Sequence, residues 1–134
     1  MTSPVVIKRT YPWTETFNGK EITFRLMDEN DQLGILRLAR SLPEEDLAFL
    51  RTDITRPEVI DAWIENLHRG RTITVLAELN GQIIGYGSLH HDETKWTAHL
   101  GEIRILVNKR YRTLGLGKRL AAEIFFIAHE MKLE

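Results

Sequence analysis

Asn80-Gly81, set between two runs of alternating apolar residues, constrains the fold of this chain more than any other feature. Both residues tolerate the positive φ of a type I′ turn, so RTITVLAEL (71–79) and QIIGYGSLH (82–90) are predicted to be adjacent antiparallel strands. In the first of them Ile73, Val75, Ala77 and Leu79 share one face. A second Asn-Gly pair, at 18 and 19, predicts another hairpin whose return strand covers about 21–27. Before it, an opening strand over 5–10 leads into an aromatic loop, Tyr11-Pro12-Trp13.

Between the hairpins the period becomes helical. Leu33, Leu36, Leu38 and Ala39 recur with helical spacing over 30–40, after the candidate caps Asp28 and Asn30. Ser41 and Glu44 have the spacing of a capping box around Pro43, which predicts a short second helix ending near Arg51. In a third helix, Pro57 opens a stripe of Val59, Ile60, Trp63, Ile64 and Leu67, and Gly70 stands where a left-handed cap belongs. After the polar connection HDETKWT, residues 98–107 read as another strand, with Ile103, Ile105 and Val107 on one face and Glu102 and Arg104 on the other. The loop NKRYRTLG follows, then a long helix to about 131 in which Leu116, Leu120, Ile124 and Ala128 stack beside Ala121 and Phe125.

The whole fits one domain: 134 residues, 43% hydrophobic and 28% charged, are enough for a core without staples. The chain has no cysteine, which excludes disulfides, thiolate catalysis and sulfur-ligated metals and gives no sign of an oxidising compartment. A net charge of -1 leaves no overall basic field for nucleic acid or a membrane surface. No run of apolar residues is long enough for a signal peptide or a membrane span, so a soluble, cytoplasmic protein is expected. The five histidines show no ligand spacing, and His90 and His91 are adjacent, so on a strand they point to opposite faces; no metal is expected. Trp13, Trp63 and Trp96 are scattered away from the basic stretch and read as packing residues. Gly85 and Gly87 mark a bulge or a place where substrate approaches the strand.

Chemistry concentrates in 98–122. Between Ile103 and Arg119, Arg104, Lys109, Arg110, Arg112, Lys118 and Arg119 contribute six positive charges with no acid, whereas the rest of the chain carries twelve bases against nineteen acids. A helix start presents unpaired amides and a partial positive charge, and glycines at 115 and 117 let an anion come close. The amides of Arg112, Thr113, Leu114, Gly115, Leu116, Gly117 and Lys118 are placed to converge on a pyrophosphate, each bond contributing about 1.5 to 3 kcal/mol. A dinucleotide fingerprint fails, because Leu120 stands where a third glycine belongs and no acid lies twenty positions on. A P-loop fails as well, with Arg112 and Arg119 at its glycine and Ser/Thr positions.

What matches is Arg or Gln, two variable residues, Gly, one variable residue, then Gly or Ala: Arg112-Thr113-Leu114-Gly115-Leu116-Gly117. On this motif, and on the order of elements over about 21–132, the chain resembles the GCN5-related N-acetyltransferase superfamily. The resemblance implies an acyl-CoA N-acyltransferase fold of the α/β class, a mixed, mostly antiparallel sheet flanked by helices, within a single domain over 1–134 whose first 20 residues are an extension. It implies acetyl-CoA as cosubstrate, with the pyrophosphate held by residues 112–118 and the pantetheine arm paired to the backbone of Ile105, Leu106 and Val107.

By the same resemblance Glu102, in GEIRIL, is the candidate base that frees an ammonium of its proton, for a small-molecule or protein amine as acceptor. Its pKa must rise from about 4.3 toward 6 or 7 for that work, and Arg104 on the same strand face opposes the rise; an ion pair between the two is the structural alternative. The strand, helix and hairpin that follow the long helix in the family have no counterpart, nor does the family's tyrosine acid, and Tyr111 lies in another element. A segment of a longer enzyme is therefore expected, or a sheet completed by a second chain or a second copy, since an open sheet edge and the apolar face of the last helix would otherwise be exposed. A noncatalytic CoA-binding module is the alternative to an enzyme, and a phosphate-binding regulatory domain is a third reading.

Overall fold

The computed structural model describes residues 11–48, 53–90 and 102–130, and of Glu102, Thr113, His129 and Glu130 the backbone alone. The strand expected over 5–10, the 98–101 start of the later strand, the end of the second helix near Arg51, residue 131, His91, His99 and Trp96 lie outside the described residues.

The elements in order are β1 (Trp13–Phe17), β2 (Lys20–Leu26), α1 (Gln32–Arg40), α2 (Glu44–Leu47), α3 (Pro57–His68), β3 (Thr72–Leu79), β4 (Gln82–His90), β5 (Glu102–Val107) and α4 (Leu116–Glu130). The strands form one sheet in the order β1-β2-β3-β4-β5, with antiparallel pairing at each junction. Both Asn-Gly pairs hold positive φ, 51° and 80° at 18 and 19 and 52° and 79° at 80 and 81, as tight hairpins require. Trp13 belongs to β1 and not to a loop: it sits opposite Phe24 and stacks on that ring at 4.6 Å.

Alternation along the strands builds a core on each face of the sheet. On one side Ile22, Phe24, Val75, Ala77, Ile84, Leu89 and Val107 meet Leu116, Leu120, Ile124 and Ile127 of α4. On the other, Leu76, Ile83, Tyr86 and Leu106 meet α1 and α3 through Ile35, Leu38, Ile60, Trp63 and Ile64. The α4 stripe runs through Ile127, whereas Phe125, expected to face inward, is exposed. The apolar face of α4 is thus covered by the sheet, contrary to the exposed face expected. Leu33 likewise points outward while Leu36, Leu38 and Ala39 are buried.

Close approach by α4 and β5, and not by a substrate, accounts for both β4 glycines. A Cβ at Gly87 would lie 3.0 Å from Ile124 Cγ1 and 3.2 Å from the Leu120 carbonyl, so α4 seats directly on the strand. At Gly85 it would lie 2.8 Å from the Leu106 carbonyl, and the β3–β4 register slips beside it, leaving Ile84 as a bulged residue. Gly70 has φ +73° and ends α3 as expected.

The capping box forms elsewhere than expected. Ser41 closes α1, its hydroxyl donating to the Leu38 carbonyl at 2.7 Å, and the extended Pro43 precedes α2 without a side-chain cap. Asp28 and Asp31 make the reciprocal pair instead: Asp28 accepts from the Asn30 amide and Asp31 accepts from the Asp28 amide, each at 2.8 Å, at the 3-10 turn leading into α1. Arg25 on β2 clamps this turn, donating to both carboxylate oxygens of Asp31 at 2.9 and 2.5 Å and pairing with Glu78 of β3 at 3.0 Å. Burial pushes the Asp31 carboxyl up, but the bonds from Arg25 and the Asp28 amide outweigh it and hold it below its usual value.

A carboxylate held low stabilises the fold above its unfolded pKa of about 3.9, and that contribution is lost as pH falls through the lower folded value. Asp31→Asn is expected to cost roughly 2 kcal/mol at pH 7 in urea unfolding, with the gap to the parent narrowing as pH falls below the unfolded value of about 3.9. A gap unchanged across that range would mean the clamp is not ionic.

Candidate functional site

The site is built where β5 ends and α4 begins. Among the described residues β5 is the last strand of the sheet, with β4 on one side and no strand on the other. Asn108 donates its amide to the Ile84 carbonyl at 2.8 Å, toward β4. Backbone groups alternate direction along a strand, so those of Leu106 also face β4, while those of Ile105 and Val107 face the open edge. From that edge Arg112 Nε donates to the Val107 carbonyl at 3.1 Å.

Residues Lys109–Leu114 form a 3-10 turn, begun by Asn108, whose side chain accepts from the Arg110 amide at 2.9 Å. Amides in such a turn bond back three residues, as Tyr111 does to the Asn108 carbonyl at 2.8 Å. Gly115 then reverses the chain at φ +81°, and the α4 ladder opens with the Arg119 amide on the Gly115 carbonyl at 3.2 Å. The amides of Leu116, Gly117 and Lys118 come before that first bond and have no helical carbonyl to take. The donor set expected over 112–118 is therefore narrowed by geometry: Arg112, Thr113 and Leu114 belong to the turn, and the helix start offers residues 116–118.

Gly117 tests whether this start suits a phosphate. A Cβ there would meet nothing nearer than Val107 Cγ2 at 3.9 Å, and none would meet anything within 4 Å at Gly115. Packing within the chain does not demand a glycine at 117; the space it leaves adjoins the free amides, which is the room a pyrophosphate needs. The residues present fit that group.

Of the six cations, Arg112 and Arg119 pair with carboxylates, and Arg110 lies over the Tyr111 ring at 5.7 Å. Arg112 reaches Asp46 of α2 at 2.7 Å besides the Val107 carbonyl, and Arg119 pairs with Glu15 at 2.8 Å while lying over the Trp13 ring. The Arg112 guanidinium thus ties α2 to the end of β5, a role its motif position does not disclose. A second tie, Asn108 Nδ2 to Ser41 Oγ at 3.3 Å, joins the same turn to the end of α1. Lys109, Arg110 and Lys118 are exposed around the helix start.

Glu102 opens β5 in register with His90 of β4; its side chain lies outside the described residues. Next to that pair, on the α3 side of the sheet, is a cleft of about 410 Å³ between α3 and the strands, reached from the β5 edge by Arg104. Its floor rests on buried hydroxyls: Trp63 Nε1 donates to Thr74 Oγ1 at 3.0 Å, Thr74 Oγ1 meets Ser88 Oγ at 2.8 Å, and Thr72 Oγ1 meets His90 Nδ1 at 3.2 Å. Tyr86 lines the cleft, edge-on to the Trp63 ring at 4.9 Å. Burial pushes its hydroxyl up to about 12 against the pull of Arg104, so the phenol keeps its proton at neutral pH.

These cleft residues escape a reading by apolar pattern alone. Trp63 counts there as one of a helix stripe, and Thr72, Thr74, Ser88 and His90 occupy the strand positions that alternate with the apolar ones. The available signal is the β-branched and hydroxylic character of that second face, T-x-T in β3 and S-x-H in β4, on strands buried on both sides.

Among the described residues no helix is long and apolar enough to cross a membrane. The sequence profile of the Acetyltransferase (GNAT) family matches residues 36–134. The chain is similar to a crystal structure of ribosomal-protein-alanine N-acetyltransferase from Brucella melitensis, at 26% identity and TM-score 0.66, over 82% of this chain and 68% of that one. An acetyltransferase of the GNAT family from Streptococcus pneumoniae is similar at 27% identity and TM-score 0.69, over 84% and 70% of the two chains. In fold the chain also matches yncA from Salmonella typhimurium, solved with its cofactor acetyl-CoA, at 21% identity and TM-score 0.67, over 82% of this chain and 64% of that one. With the profile covering most of its length, this chain belongs to the acetyltransferase (GNAT) family of acyl-CoA-dependent transferases.

Proposed function

We propose that this chain binds acetyl-CoA along the open edge of β5 and the start of α4, and transfers the acetyl group to a primary amine. The observation that carries the reading is Gly117: a residue whose missing side chain leaves room beside the unpaired amides of 116–118, with none of the described residues filling it. The outward backbone groups of Ile105 and Val107 suit an extended amide-bearing arm such as pantetheine, and the solved relative from Salmonella typhimurium, whose title names acetyl-CoA, shares the fold. Bound there, the coenzyme supplies an activated acyl group as a thioester.

The chain's own residues do the remaining work. The β5 edge and the α4 start fix the arm, and the cleft beside Arg104 admits the acceptor, so positioning supplies much of the rate. Glu102 takes the proton that the amine must lose, directly or through a water, as a new N–C bond replaces the C–S bond and the thiolate departs. The Arg112 guanidinium must release the Val107 carbonyl for the arm to pair there, since that bond already occupies the open side.

Gly117→Val is expected to fold like the parent, because its side chain enters open space. It should bind CoA at least about tenfold more weakly by calorimetry, the cost of one charge-assisted bond. Undiminished affinity would remove the helix start from the site. Glu102→Gln should keep CoA affinity and lower kcat about a hundredfold in a thiol-release assay with a panel of amines, flattening the acid limb of the pH profile. Unchanged turnover takes Glu102 out of the mechanism, and CoA binding without thiol release from any amine would reduce the chain to a binding module.

A further inference from the structure

Arg112 sits where its motif position gives no reason to expect it. That position points to a phosphate, yet Nε donates to the Val107 carbonyl at 3.1 Å while Nη2 donates to Asp46 Oδ2 of α2 at 2.7 Å. The Val107 carbonyl faces the open edge of β5, the side on which an extended arm would pair. The guanidinium thus holds an acceptor that the coenzyme arm needs.

The two bonds are not equal in what they contribute. Fixing a long arginine side chain forfeits rotamer freedom, and water satisfies an edge carbonyl about as well, so the Nε bond alone brings little net gain. The Asp46 contact differs in kind. It joins opposite charges at short range, and its carboxylate is only 16% exposed against 43% for the arginine, which limits the screening that weakens most surface pairs. Asp46 is itself held in place: its amide bonds the Pro43 carbonyl at 3.0 Å, and the adjacent Leu47 packs on the core beneath α1 and α3. Glu45, one residue before it on α2, is exposed and makes no ion pair among the described residues.

We propose that Arg112 is an internal plug on the coenzyme edge of β5, and that Asp46 is the positioning residue that keeps it there. Without that carboxylate the guanidinium leaves the Val107 carbonyl more often, and an arm finds the edge open more often. Apparent affinity for such an arm is the intrinsic affinity reduced by the open fraction, so Asp46 sets how tightly the chain takes its coenzyme. What the edge binds rests on the acetyl-CoA reading; the plug is a property of the chain alone. ADP carries a diphosphate but no arm, so it meets the helix start and is indifferent to the plug.

The test compares the parent with Asp46→Asn by calorimetry with CoA and with ADP, and by the Nε–H resonance of Arg112 in the nitrogen-labelled chain, assigned by its loss in Arg112→Lys. CoA should bind Asp46→Asn about threefold more tightly than the parent, the weight of one partly exposed ion pair, while ADP binds the two alike. A lost negative charge that merely eased the approach of an anion would favour both ligands equally. Before any ligand is added, water exchange of the Arg112 Nε–H should be about threefold faster in Asp46→Asn, and in the parent CoA should shift that resonance where ADP leaves it. Glu45→Gln, the same change of charge one residue away, should bind CoA like the parent. No gain in CoA affinity for Asp46→Asn, an equal gain for ADP, a like gain in Glu45→Gln, or an Arg112 resonance that CoA leaves unmoved would each overturn the plug. The coenzyme site would then still stand, because Gly117→Val reports on it separately. CoA that binds neither chain, or binds Gly117→Val as it binds the parent, would instead overturn the coenzyme reading and the role of the plug with it.

Discussion

The structure depends on two missing side chains in β4. At Gly87 any Cβ would press into Ile124 and the Leu120 carbonyl, and at Gly85 into the Leu106 carbonyl, so these glycines let α4 and β5 close on the strand between them. With α4 seated by Leu116, Leu120, Ile124 and Ile127, all fully buried, its first turn cannot drift from the end of β5. The juxtaposition of an open strand edge with a set of unpaired helix amides is a consequence of that contact. Neither feature alone is a site; their fixed relation makes one.

Each sheet face has taken a different task. The α4 face is dry and apolar and holds the framework for the coenzyme. The α3 face mixes aromatic rings with a buried chain of hydroxyls, which orient Trp63 against Tyr86. Between the faces run the cross-ties: Arg112 to Asp46 and Asn108 to Ser41 link the loop before α4 to α1 and α2. Arg112 holds both the Val107 carbonyl and Asp46, so the pairing of an arm with β5 and the seating of α2 draw on one guanidinium.

Much of this is legible in the sequence wherever a residue's reason is local. Asn-Gly turns need only their own φ angles, and the α3 stripe and Gly70 cap need only helical spacing. The Gly115-Leu116-Gly117 motif carries its meaning in backbone room, which a sequence displays directly. Features set by distant partners were not legible. Ser41 and Glu44 have the right spacing for a cap, but Ser41 bonds back to Leu38, while the true box at Asp28 and Asp31 is selected by Arg25 and Glu78 from two strands. Phe125 shares its spacing with the buried stripe and differs only in which way α4 is rotated on Gly87. The widest miss was the cleft, whose polar floor comes from strand positions that a half-buried sheet would turn to solvent and that here α3 covers.

The central claim is that β5 and the start of α4 together hold the coenzyme, and a crystal structure of the chain with CoA tests it most directly. The account requires the diphosphate within hydrogen-bond distance of the Gly117 and Lys118 amides, and pantetheine amides bonded to the backbone of Ile105 and Val107 with Arg112 moved off the Val107 carbonyl. Coenzyme bound at another surface, or an edge of β5 covered by a further strand along 105–107, would contradict it.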